Sequence, residues 1–139
     1  MKYAKEHAKE YLADTLMETL DMELVKVEPD EMILRMPVTD KVKQPARFLH
    51  GGATAALIET VASFGSAIQC PKGFLPFGIE VNCNHLRSKQ DGYIEAIGTP
   101  IHRGRRIHVW EVKVRDEEGK MIAVGRCTVG ITPIKTGDE

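Results

Sequence analysis

The period of apolar and polar positions changes along the chain, and each change marks an element. From 3 to 20, Tyr3, His7, Tyr11, Leu12, Leu16 and Leu20 recur at helical spacing with Lys and Glu between them. This predicts an amphipathic helix with His7 on its surface. Residues 22–28 and 31–38 read as two strands, with Pro29-Asp30 as their turn. A loop over 39–49 follows, and then the texture alters. Gly52 to Gln69 is rich in Ala and Leu, apolar on most sides, and free of Lys and Arg. A helix apolar nearly all round is a buried helix, here a rod of about 27 Å at ~1.5 Å per residue. Something must wrap around it.

The wrapping lies downstream. Residues 77–87, 92–102, 106–115 and 120–133 read as long strands, separated by turns at Asp91-Gly92, His102-Arg103-Gly104 and Asp116 to Gly119. Strict alternation is clearest from His108 to Arg115. Antiparallel strands with short turns, plus one apolar helix, predict an α+β fold in which the sheet curls around the helix.

Composition narrows the class. One domain spanning 1–139 is expected for 139 residues, and a domain of that size buries roughly two thirds of its unfolded surface. Hydrophobic residues are 42% and charged residues 28%, an ordinary globular profile. The net charge of -1 supplies no global field for nucleic acid or an anionic membrane. Cys70, Cys83 and Cys127 have no C-x-x-C spacing, which argues against a disulfide framework or a zinc ribbon. Free thiols, no apolar leader at the N-terminus and no window of membrane-spanning length point to the cytoplasm.

Candidate chemistry concentrates on the buried helix. Glu59, Ser63 and Ser66 stand at i, i+4 and i+7, so they form one polar stripe on an apolar rod. A carboxylate there is expensive unless it is partnered or faces a cleft. The helix begins at His50-Gly51-Gly52, where unpaired N–H groups and the positive dipole end suit an oxyanion. Each feature alone has a plain structural reading: a solvated glutamate, a Gly-Gly turn, a structural histidine. Together they suggest a carboxylate and a carbonyl-polarising amide. About seven helical residues separate them, a rise of ~10 Å, too far for one copy of the helix. Two antiparallel copies would bring one start near the other's middle, which predicts a site shared across a dimer.

The run Gln44-Pro45-x-x-x-x-His50-Gly51-Gly52-Ala53 followed by Glu59 resembles the hotdog-fold acyl-CoA thioesterases of the PaaI-like, Arthrobacter-type 4-hydroxybenzoyl-CoA branch. The resemblance is closest to the 1,4-dihydroxy-2-naphthoyl-CoA thioesterases. It continues through Gly78-x-Glu80-x-Asn82-x-Asn84-His85-Leu86-Arg87-Ser88 and Pro100-x-His102-x-Gly104-Arg105-x-x-x-x-Trp110, covering roughly residues 10–133. It implies a hotdog fold and hydrolysis of an acyl-CoA, aromatic in its acyl part, to the free acid and coenzyme A. Glu59 would be nucleophile or general base, the Gly51 amide the oxyanion donor, His50 the support of that loop, and Gln44 a neighbour of the thioester. Ser63, one turn after Glu59, would hold a water or an acyl substituent.

Gly78, His85, Leu86, Arg87 and Ser88, with His102, Arg103, Gly104 and Arg105, would bind the substrate, the two basic clusters taking its phosphates. Their alternative reading is solvated hairpin turns. Arg106 has no clear place in that set. No metal or cofactor is expected, coenzyme A being part of the substrate, and the assembly implied is a homotetramer built as a dimer of dimers. His108 reads as a strand residue facing a partner or solvent, and Trp110 as core or interface. A dehydratase of the same fold would need a longer His-to-carboxylate spacing. A non-enzymatic acyl-CoA sensor would usually carry a fused DNA-binding segment, for which the chain leaves no room.

Overall fold

The computed structural model describes residues 8–135. A six-stranded antiparallel sheet holds β1 (Glu23–Glu28), β2 (Glu31–Pro37), β3 (Phe74–His85), β4 (Tyr93–Arg103), β5 (Ile107–Asp116) and β6 (Met121–Pro133). Their spatial order is β1-β2-β4-β5-β6-β3. The long helix, α3 (Gly51–Ala67), connects β2 to β3 across the concave face, so β3 lands at the far edge, beside β6. This is the sheet curled around an apolar helix that the hydrophobic pattern predicts, and the hotdog fold that the resemblance implies.

Alternation explains which face is inside. Met32, Leu34 and Met36 of β2, Ile94 and Ala96 of β4, and Trp110, Val112 and Val114 of β5 point inward and are buried. They pack on Leu57, Ile58, Val61 and Ala62 of α3. Gly65 is required there: a Cβ at that position would meet the six-membered ring of Trp110.

Three local expectations need correction. Among the described residues, the helix predicted over 3–20 is replaced by two short ones, α1 (Ala8–Leu12) and α2 (Leu16–Thr19). Asp14 takes a left-handed φ of 59° and the Thr15 hydroxyl donates to the Leu12 carbonyl at 2.6 Å, so side-chain bonding breaks the helix. Tyr3 and His7 lie outside the described residues. His108 is not outward-facing: it is buried, and its Nδ1 lies 2.9 Å from Ser66 Oγ. Ser66 also accepts from Trp110 Nε1 at 2.9 Å. Ser66 therefore belongs to a core hydrogen-bond cluster, which shortens the polar stripe to Glu59 and Ser63.

Candidate active site

His50 is the cap of α3. Its extended backbone (φ -69°, ψ 129°) turns the chain, and its Nδ1 accepts from the Gly52 N–H at 2.8 Å. An accepting Nδ1 leaves the neutral ring with its proton on Nε2. The Gly51 N–H is the first of the helix and has no acceptor among the described residues, as helix starts leave it. The imidazole of His85 lies directly over Gly51, 2.8 Å from where a Cβ would stand. Gln44 turns its carbonyl to the Ala46 N–H, so its amide NH2 is the end left for another partner. Gln44, Gly51, Thr54 and the segment His85 to Lys89 line one cavity of about 400 Å³.

Glu59 lies elsewhere. With Ser63 it lines a cleft of about 810 Å³ along α3, walled by Tyr11, Leu16 and Met17 on one side and Phe74 to Phe77 on the other. Its carboxylate is half-buried, rests against Gly78, and has no hydrogen-bond or ion-pair partner among the described residues. At Gly78 the strand carries a bulge: its register with β6 shifts between Gly78 and Glu80, a device common beside active sites. Cys70 shares the cleft, but burial raises its thiol pKa. Burial, with Glu59 and Glu80 adding to it, pushes the Cys127 thiol up to about 12. Neither is a ready thiolate.

The two basic clusters stand at opposite ends of the sheet. His85 pairs with Ala123, whereas the turn after Arg103 follows the level of His108, Val129 and Gly78. His85, Leu86, Arg87 and Ser88 are exposed at the Gly51 end. His102, Arg105 and Arg106 are exposed at the other, the His102 ring covering Gly104. Arg103 departs from the phosphate role. Its guanidinium donates to Asp30 Oδ1 and Gln69 Oε1, both at 2.8 Å, and to the Pro29 carbonyl at 3.3 Å. It fastens the β1–β2 turn to the end of α3. Sequence reasoning missed this because Asp30 and Gln69 are remote in the chain.

The profile of the Thioesterase superfamily matches residues 47–123. The chain belongs to that superfamily. It is a thioester hydrolase. A 1,4-dihydroxy-2-naphthoyl-CoA hydrolase of Listeria monocytogenes is 41% identical over 116 residues, 84% of this chain and 94% of that protein. The enzyme of the same name in Escherichia coli is 34% identical over 113 residues, 81% and 82% of the two chains. Among solved structures, a thioesterase of Haemophilus influenzae superposes with a TM-score of 0.93 at 30% identity, covering 100% of this chain and 97% of that one. A thioesterase of Staphylococcus aureus gives 0.83 at 44% identity, covering 85% and 98%. The Staphylococcus protein has been solved with a glutamate replaced by alanine and, separately, a glutamine fifteen positions earlier. Gln44 and Glu59 of this thioesterase are also fifteen positions apart.

Among the described residues of this thioesterase, no helix is long and apolar enough to cross a membrane. Among the same residues, no three His, Cys, Asp or Glu side chains gather as a metal site.

Proposed function

We propose that this thioesterase hydrolyses a bulky, aromatic acyl-CoA in a site completed by a second copy of the chain. Glu59 of one subunit faces Gly51 of the other. The Gly51 N–H polarises the thioester carbonyl and stabilises the oxyanion that forms on it. Glu59 attacks that carbonyl carbon, or takes a proton from a water that does. The C–S bond breaks and coenzyme A leaves, its thiol taking a proton that comes from water; where Glu59 is the nucleophile, a water then hydrolyses the acyl-Glu59 anhydride, so in either route one water supplies the acid's oxygen and the thiol's proton. Coenzyme A enters with the substrate, and no further cofactor takes part. Gln44 steadies the thioester through its amide NH2. Arg87 and Arg105 provide cationic charge for the phosphates.

The observation that carries this reading is the split of the site. One chain places Glu59 and Ser63 in one cleft and Gly51 and Gln44 in another cavity. The edge between the split and solvent is β3, a twelve-residue strand that exposes Leu75, Phe77 and Ile79. A long apolar edge strand calls for a partner. A second β3 there would bring two half-sites together by two-fold symmetry.

The acyl class rests on the cleft's walls. Tyr11, Leu16, Met17, Phe64, Ile68 and Phe74 make it largely apolar, with Glu59, Thr60, Ser63 and Lys72 as its polar members. The size suits a one- or two-ring acyl group, the class that the named Listeria and Escherichia relatives act on. Glu59→Gln tests the proposal: turnover of benzoyl-CoA should fall by at least about 10³-fold with the fold intact. Near-normal turnover would remove Glu59 from the chemistry.

A further inference from the structure

The β3–β4 loop brings His85 to Ser88 beside Gly51, and Lys89 holds the loop there from two ends. Its main-chain carbonyl accepts from the Leu49 N–H at 2.7 Å, one residue before the His50 cap. Its Nζ lies 2.6 Å from Glu117 Oε1 in the β5–β6 turn and 4.0 Å from Asp116 Oδ2 at the end of β5. The second Glu117 oxygen accepts from the Tyr93 N–H at 3.3 Å, so one carboxylate bridges both ends of the 89–93 loop. Gly92, with φ 73°, passes so close that a Cβ would come within 2.8 Å of the Glu117 carboxyl carbon. The Lys89 side chain is 11% exposed, unlike a surface ion pair such as Lys41–Asp21 at 48% and 50%. Glu117 is held at about 2, first by its hydrogen bond from Lys89. Lys89 is thus already engaged and turned away from any phosphate.

We propose that the Lys89–Glu117 ion pair is a positioning device for the carbonyl-polarising half-site. It fixes the distance between the His85–Ser88 segment and the Gln44–Gly51 segment without touching substrate. This rests on the reading of Gly51 as carbonyl donor. The physical reason is the geometry of the bracket. The Leu49–Lys89 hydrogen bond joins the two segments, and its acceptor stays in place because the same residue's side chain is anchored in a third element. Loosening the anchor lets the cavity shared by Gly51 and Gln44 widen, and about 1 Å of misplacement costs ~10²-fold in rate.

The test uses the full chain with benzoyl-CoA and four variants: Lys89→Met, Glu117→Gln, Lys89→Arg, and the charge-swapped double Lys89→Glu with Glu117→Lys. Each neutralising single should lower kcat at least about tenfold, with a smaller change in KM and a melting temperature near wild type. Lys89→Arg and the charge swap should recover most of the rate. Three outcomes overturn the proposal: singles within about twofold of wild type, losses that track melting temperature, or a rise in KM with kcat kept, which would make Lys89 a phosphate ligand. Glu59→Gln assayed alongside separates the two levels. Full activity there would sink the site assignment itself, whatever the Lys89 variants do.

Discussion

The Glu59 carboxylate occupies the space that a side chain at residue 78 would need. A Cβ at Gly78 would stand 3.0 Å from the Glu59 carboxyl carbon and closer still to Oε1. Helix and strand therefore meet at the carboxylate, and the β3 bulge sits at the same point. Gly78→Ala should push the carboxylate off its position. Turnover of benzoyl-CoA should fall roughly 10²-fold, while the melting temperature stays close to wild type because residue 78 is exposed.

A shared site makes a subunit-mixing prediction. Gly51→Pro removes the N–H at the first helical position, where proline is tolerated, although the His85 ring must swing aside. Glu59→Gln removes the carboxylate. Each homo-oligomer should be inactive. Dissociated and reassembled together, they should regain about a quarter of wild-type activity, since a mixed pair holds one intact site. No recovery on mixing, with exchange verified by mass spectrometry, would place Glu59 and Gly51 in one subunit's site.

Cleft size should govern acyl selectivity. Leu16 is 60% exposed yet lines the Glu59 cleft with Met17. Leu16→Trp should reduce kcat/KM for a two-ring acyl-CoA by about 10-fold or more while sparing acetyl-CoA, the range expected for a pocket-wall change. Equal loss on both substrates would mean that the N-terminal helices act only on stability.

The buried Ser66 cluster should be visible in stability and in its pH dependence. Ser66→Ala leaves the Trp110 Nε1–H and His108 Nδ1 unpartnered in the core, at a cost of about 1–3 kcal/mol per group, measurable by urea unfolding. Burial, then Arg103 and His102, lowers the His108 pKa from 6.5. A histidine with a depressed folded pKa favours folding at pH above its unfolded value. That contribution is lost as pH falls below about 6.5, where the unfolded chain binds the extra proton. Urea midpoints should therefore drop between pH 7.5 and 5.5, and His108→Gln should flatten the drop.

Much of this was legible in the chain. An apolar helix without Lys or Arg, bracketed by alternating strands, dictates a curled sheet because burial has no other means. His50-Gly51-Gly52 at its start and Glu59 about two turns later place an amide and a carboxylate ~10 Å apart by helix geometry alone. Local pattern also marks every strand to within a few residues, β3 beginning at Phe74 rather than 77.

Tertiary structure decided the partnerships. Ser66, identical in spacing logic to Ser63, is drawn into the core by His108 and Trp110, residues more than forty positions away. Arg103 looks like its exposed neighbour Arg105 in sequence, but the β1–β2 turn delivers Asp30 to it. Lys89 sits in a basic run, and only the β5–β6 turn reveals that Glu117 claims it. Periodicity reports which face a side chain takes, because burial is a property of one element. Which polar group meets which is set by the packing of distant elements, and no local pattern in the sequence carries that.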